Sequence, residues 1–328
     1  MKPILVSGIQ PSGRMHIGNY LGALKNFVDL QNSEKYQCFF FVADLHSLTE
    51  SSTPKEKSAQ ILELITDYLA AGLDPKKSTI FLQSQIPAHS ELSWILNTLT
   101  PMGELRRMTQ YKEKSENEKD GSNAGLFTYP TLMAADIILY DAKYVPVGED
   151  QLQHLELART ITRKFNSKYG RTFIEPQPLL TASPRIMSLG DPKKKMSKSQ
   201  PQTCLFLDEH PDEIVFKIKR AVTDSDNKII FDLKNKPGLS NLLIIFANLS
   251  EKPIKTIEKE FSGKNYGEFK LALADLMIKK LSDYRKNKKV LFSKPQNLKN
   301  ILNSGSKIAN TIANKKIEIV KKKIGLSF

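Results

Sequence analysis

The sequence predicts an α/β fold: a parallel sheet covered by helices, followed by an all-helical C-terminal region. Three observations carry this. Short apolar runs alternate with helical periodicity through the first half of the chain. Strand signals stop at about Pro211, and most of the net charge of +14 lies beyond that point. A βαβαβ order closes through crossover helices into a parallel sheet, which places ligands at the carboxyl ends of the strands.

The elements follow in order. Residues 3–7 are a short apolar run ending in a Gly/Pro/Ser loop, and a helix is expected from about Ile17. In that helix Ile17, Leu21, Leu24 and Val28 form one apolar stripe. Residues 37–43 read as a buried strand that ends at Asp44. Thr53-Pro54-Lys55-Glu56 combines an N-cap, a proline at the first helical position and a capping-box glutamate. The helix it opens runs to about Ala71, where Gly72 stops it. Residues 79–83 are the next strand, 91–110 turn helical, and 112–122 form a polar loop. A helix over 129–140 carries Asp136 on an otherwise apolar surface. A strand at 144–147 runs through Gly148-Glu149-Asp150-Gln151 into a helix ending near Phe165. A basic loop at 193–199 precedes a strand expected at 204–207. Only helices are expected thereafter, at 213–222, 239–249, 254–260, 269–290 and from about Lys307, with a domain boundary at 208–211.

With 328 residues, 40% hydrophobic and 26% charged, the chain has ordinary globular composition and enough length for substantial cores. No apolar run approaches the roughly 18 residues of a membrane span, and the N-terminal apolar stretch is too short for a signal peptide. Cys38 and Cys204 stand far apart without a CxxC pair, which argues against structural zinc or a disulfide framework and for a reducing cytoplasm. Residues 251–328 hold 19 lysines and arginines against 7 acidic residues. Such a tail suits a polyanion, nucleic acid first, although a solvated face in a Lys/Asn/Ile-rich stretch reads the same way.

Two motifs carry the chemistry. Pro11-Ser-Gly-Arg-Met-His-Ile-Gly-Asn19 puts His16, Gly18 and Asn19 where a strand gives way to a helix, whose free N–H groups attract an anion. Gly18 lets a flat base or a phosphate approach the backbone. A structural cap by His16 fits the same residues. Lys195-Met-Ser-Lys-Ser199 aims two lysines and two hydroxyls from a short loop, which suits a polyphosphate and the charge developing on a departing pyrophosphate. Together they read as two halves of one ATP site, and neither is a P-loop. Gln10 points to the same crevice. Gly148-Glu149-Asp150 suits ribose hydroxyls or a plain helix cap, and Asp136 suits a buried substrate N–H or a nearby arginine. Trp94 and His46, taken alone, read as a core and a cap residue.

At this point the chain resembles the class I aminoacyl-tRNA synthetases, and among them the tryptophanyl-tRNA synthetase family. The likeness runs through Ser7-Gly-Ile-Gln-Pro-Ser-Gly13, His16-Ile-Gly-Asn19, Tyr129-Pro-Thr-Leu-Met-Ala-Ala-Asp136, Val145-Pro-Val-Gly-Glu-Asp-Gln151, Arg185-Ile-Met-Ser188 and the lysine loop. It implies a Rossmann-type catalytic domain over 1–210 with a helical insertion at about 105–187, then a helical, basic anticodon-binding domain over 211–328. It also implies a cytoplasmic homodimer without membrane contact that uses ATP and Mg²⁺ to activate L-tryptophan and charge tRNA(Trp).

By the same resemblance, Gln10, Pro11, Ser12, His16, Gly18, Asn19, Gly148, Glu149, Asp150 and Ile186 line the ATP site. Lys195, Met196, Ser197, Lys198 and Ser199 close on the triphosphate, with Lys114 joining the two lysines in catalysis. Asp136 accepts the indole N–H. Tyr129 and Gln151 hold the ammonium group, and Met133, Val145, Val147, Val6 and His46 surround the ring. Val6 departs from the aromatic residue common in bacterial relatives, which leaves the shape of that wall open. His16 replaces a frequent threonine and returns to the wider class I pattern. Three rival readings share parts of this pattern: a tyrosine-specific enzyme of the same fold, a small-molecule nucleotidyltransferase and a non-catalytic RNA-binding relative.

Overall fold

The computed structural model describes residues 2–109, 123–180 and 184–327. Strand β1 (Ile4–Ile9) leads through a loop into α1, which starts as Ile17–Asn19, passes through a π-helical stretch, Tyr20–Leu24, and continues as Lys25–Asn32. Next come β2 (Gln37–Val42) and α2 (Pro54–Ala70). The capping box expected at α2 forms: Thr53 Oγ1 accepts from the Glu56 N–H, and Glu56 accepts from the Thr53 N–H. Then follow β3 (Ser78–Leu82), α3 (Ala88–Asn97), α4 (Met102–Arg106), α5 (Ala124–Ile138), β4 (Tyr144–Val147), α6 (Leu152–Tyr169) and β5 (Gln177–Leu180).

The five strands of the described residues join one parallel sheet in the order β3-β2-β1-β4-β5. The chain builds outward from β1 to β3, then returns to β4 on the other side of β1. The crevice beyond the carboxyl ends of β1 and β4 is therefore the switch point where such sheets take ligands. The loop after β1 and the turn at Gly148 both open onto it.

Six helices complete the chain: α7 (Pro211–Arg220), α8 (Pro237–Ser250), α9 (Ile254–Glu260), α10 (Tyr266–Lys280), α11 (Ser282–Phe292) and α12 (Pro295–Ile324). Alternating side chains divide the core between the two sheet faces. Leu5, Phe40, Val42 and Ile80 pack toward α1 and α2, in a core that continues into α8, α10 and the start of α12. Val6, Phe39, Phe41 and Phe81 pack toward α3, α5 and α6. Helix α12 lies along β3, the edge of the sheet, so closely that a Cβ on Gly305 would sit 1.8 Å from the Ile80 carbonyl oxygen. It covers an edge that would otherwise present unpaired backbone.

Several expectations are corrected. Residues 204–207 do not enter the sheet; they pair with the loop after β1, through Ile17 N–H to Leu205 O (2.8 Å) and Leu207 N–H to Met15 O (3.0 Å). The helix expected at 91–110 divides into α3 and α4. The one expected at 269–290 breaks at Leu281 (φ −98°, ψ 7°), letting α10 pack on α7 and α8 while α11 turns onto α2. The last helix begins at Pro295, whose ring favours the first helical position. β5 was not expected at all. With β4 it lies inside 105–187, so that span supplies two strands of the sheet as well as helices. Trp94 is no core residue: it is 72% exposed, because Leu92, Ile95 and Leu96 turn the opposite face of α3 inward.

Candidate active site

The loop after β1 ends in a cap made by histidine. His16 is buried, and its Nδ1 accepts from the Gly18 N–H (3.1 Å) and the Asn19 N–H (3.3 Å). An acceptor Nδ1 leaves the proton of a neutral ring on Nε2, which remains a donor. Burial, with Lys198 and Lys195 nearby, pushes the imidazole down to about 4, so it is neutral at ordinary pH. Gly18 makes the fit close: a Cβ there would stand 3.0 Å from His16 Cε1 and 3.4 Å from Ile186 Cβ, so those neighbours would have to give. The cap and the ligand readings of His16 are thus compatible, one on each ring nitrogen. Gln10 Nε2 and Asn19 Oδ1 are buried with no hydrogen-bond partner among the described residues. Both atoms therefore keep hydrogen-bonding capacity toward a polar ligand.

The lysine loop folds onto this corner. Ser188 N–H bonds to Lys194 O (2.8 Å) and Met196 N–H to Ile186 O (3.0 Å), so Ile186 and the loop form a short antiparallel pair. Met196 is buried, while Lys195, Ser197 and Ser199 are exposed. Lys198 Nζ donates to Ser12 O (3.1 Å), Ser12 Oγ (2.9 Å) and Gly13 O (3.0 Å). Burial lowers its pKa. The two motifs therefore meet in space. Pro11 is buried beneath them. Opposite, Gly148 opens a short turn whose Glu149 and Asp150 carboxylates are exposed and make no helix-cap bond, against the plain-cap reading. Lys114 lies outside the described residues.

Asp136, on α5, is buried and held from three directions. Gln83 Nε2 (2.7 Å) and His89 Nδ1 (2.6 Å) reach its Oδ1, and His46 Nε2 (2.7 Å) reaches Oδ2. Tyr140 Oη stands 2.8 Å from His89 Nε2, which orders the chain Tyr140–His89–Asp136. Burial alone would raise the Asp136 pKa; the hydrogen bonds and charge of His46 and His89 hold it well below the usual carboxylate range. The arginine partner left open by the sequence is replaced by two histidines and a glutamine. His46 is no mere cap but a ligand of Asp136. Among the described residues Oδ2 has one partner, so it keeps capacity for a second donor.

Val6, Val145 and Val147 are buried in the core on this face of the sheet, with Met133 packed against it. Tyr129 Oη lies 2.7 Å from His154 Nε2. Burial pushes the phenol up to about 12 and, chiefly, the His154 ring down to about 4. Gln151 Nε2 donates to Asp150 Oδ2 (3.0 Å). Gln83, His89, Tyr140 and His154 were missed by sequence reasoning. Gln83 and His89 had a signal, since Gln83 follows β3 directly at the sheet's ligand-binding end and His89 lies in the first turn of the next helix, α3.

A parallel sheet with a nucleotide corner at its switch point, a lysine loop docked there and a buried carboxylate beside it match a known class. The chain belongs to the class I tRNA synthetases of the W and Y group, whose family model matches residues 1–282. It is 48% identical to the tryptophan–tRNA ligase of Caldanaerobacter subterraneus subsp. tengcongensis, over 98% of this chain and 97% of that one. With the tryptophan–tRNA ligase of Clostridium tetani it shares 44% identity, over 99% and 96%. The tryptophanyl-tRNA synthetase structure from Mycoplasma pneumoniae superposes with a TM-score of 0.90 at 37% identity, covering 100% of this chain and 99% of that one. The Campylobacter jejuni enzyme in complex with ADP and tryptophan superposes with a TM-score of 0.80 at 36% identity, covering 98% and 99%.

Proposed function

We propose that this chain activates L-tryptophan with ATP, giving tryptophanyl-adenylate and pyrophosphate, and then transfers the tryptophanyl group to the 3′ end of tRNA(Trp). The observation that supports this best is the docking of Lys198 on Ser12 and Gly13 beside neutral His16, which joins both phosphate-binding motifs at the switch point. The tryptophan carboxylate, already ionised, attacks the α-phosphorus in line, and the bond to the pyrophosphate oxygen breaks. No general base is needed. Catalysis comes from positioning and from charge stabilisation. His16 Nε2–H and the free amide of Gln10 donate to phosphoryl oxygens, while Lys195 and Lys198, with Lys114, stabilise the leaving pyrophosphate. Mg²⁺ would be held through the phosphate oxygens; the described residues contain no cluster of three acidic, histidine or cysteine side chains spaced to bind it alone.

Pro11, Ser12, Gly18, Asn19, Gly148, Glu149, Asp150, Ile186, Met196, Ser197 and Ser199 complete the nucleotide site. For the amino acid, Oδ2 of Asp136 takes the indole N–H, against a wall of Met133, Val145, Val147, Val6 and His46. The Tyr129 hydroxyl, paired with His154 Nε2, binds the ammonium group together with Gln151. Residues 1–210 act as the catalytic domain and 211–328 as the basic anticodon-binding domain. Trp94 and Met102, both exposed on α3 and α4, suit a homodimer interface. No helix among the described residues is long and apolar enough to cross a membrane, and we place the enzyme in the cytoplasm. Aminoacylation assays with tRNA(Trp) test the whole reaction: tryptophan esterified to the tRNA supports it, and adenylate formation without transfer would limit the function to activation.

A further inference from the structure

We propose that Asn241, on α8 of the helical region, is a positioning residue for the lysine loop. Its carboxamide takes the place of a missing β-strand beside Met187, the residue paired with Lys195. The argument rests on the loop's role in ATP chemistry proposed above. In the short antiparallel pair formed by 186–188 and 194–196, Ile186 and Ser188 spend their backbone groups on the loop. Alternation then turns the Met187 N–H and C=O outward, where a third strand would pair with them. No strand lies there. Asn241 Oδ1 accepts from the Met187 N–H (2.8 Å), and its Nδ2 donates to the Met187 carbonyl (2.9 Å). Asn241 is buried.

The other foot of the loop is held from the same region. On α7, Lys217 Nζ donates to Pro201 O (2.7 Å) and Cys204 O (2.9 Å) and pairs with Glu209. Val222 N–H, just past α7, bonds to Leu189 O (2.8 Å). Both ends of the loop are thus anchored to the helical region, while its tip is anchored by Lys198 to the loop after β1. Where α8 stands relative to the sheet sets where Lys195 stands relative to the phosphates.

The test uses the full chain with N241A, the isosteric N241D and N248A as a control. Asn248 lies on the same helix, and among the described residues its carboxamide bonds only to Ile244 O within it (2.8 Å). N241D keeps the packing and an acceptor for the Met187 N–H, but sets an oxygen against the Met187 carbonyl; it carries the test if N241A does not fold. ATP–pyrophosphate exchange at saturating tryptophan is expected to fall about tenfold in kcat for both Asn241 variants, as two backbone bonds are lost or weakened. The tryptophan KM should stay within about twofold. Trypsin cleavage after Lys193, Lys194 or Lys195 should accelerate in both variants, and N248A should match the wild type in every measurement. Unchanged kcat and unchanged cleavage in N241A and N241D would overturn the proposal, as would a tryptophan KM that rises in step with the loss of kcat. If the wild type exchanges with no amino acid, the functional reading fails, while the cleavage comparison still decides whether Asn241 holds the loop.

Discussion

Replacing Asp136 by asparagine separates its structural role from its role toward tryptophan. Three N–H donors converge on the carboxylate, two on Oδ1 and one on Oδ2. In Asp136→Asn the amide oxygen is best placed at the Oδ1 position, facing Gln83 and His89, and the NH₂ group then faces His46, which can accept by changing tautomer. The main stability cost is the weakening of the charge-assisted bonds to neutral ones, about 1 kcal/mol for each of the two at Oδ1 and up to about as much again at His46, about 2–3 kcal/mol in all. For a chain of this length that corresponds to a fall in Tm of about 3–4 °C. Toward tryptophan the effect differs in kind: the NH₂ now at the Oδ2 position meets the indole N–H, donor against donor. An unpaired buried donor costs about 1–3 kcal/mol, so the tryptophan KM should rise about five- to 150-fold. Thermal unfolding by circular dichroism and tryptophan-dependent ATP–pyrophosphate exchange read the two effects separately. A Tm loss of the expected size with an unchanged tryptophan KM would refute the indole contact and leave Asp136 as a structural hub.

Lys198→Ala should slow adenylate formation while leaving tryptophan affinity nearly intact, in pre-steady-state exchange and equilibrium binding; equal loss of tryptophan binding would assign Lys198 a structural role. Gly18→Ala should raise the KM for ATP, because its Cβ would press on the His16 ring and Ile186; an unaltered ATP KM would show that the cap can shift at no cost. NMR titration of His16 should give a midpoint near 4 rather than 6.5. The unfolded chain therefore binds this proton first, so the His16 contribution to stability is complete above about pH 6.5 and declines as pH falls toward 4. A midpoint near 6.5 would mean the ring is solvated and not held as the cap.

What was legible in the sequence was local chemistry. The capping box at Thr53 and the strand at 144–147 are each contained in a few consecutive residues and form as expected, and the motifs at 11–19 and 195–199 are equally local, although only the fold brings them into contact through Lys198. The partners of Asp136 were not legible, because they arrive from the segments that follow β2 and β3 and from α3, far along the chain, and only the fold brings them together. β5 escaped notice because four residues, one a proline, give too little pattern, which is tolerable only at a sheet edge. The segment 204–207 has the apolar look of a strand, but its two ladder bonds go to another loop. Trp94 was misread although the signal was present: Leu92, Ile95 and Leu96 define an inner face of α3 that excludes position 94. Gly305 gave no local hint that it sits against the backbone of β3.

The most direct test of the central claim is ATP–pyrophosphate exchange with each of the twenty amino acids in the absence of tRNA. The account predicts exchange with tryptophan alone. Exchange with tyrosine instead would contradict the reading of the Asp136 pocket, and no exchange with any amino acid would contradict activation at this site altogether.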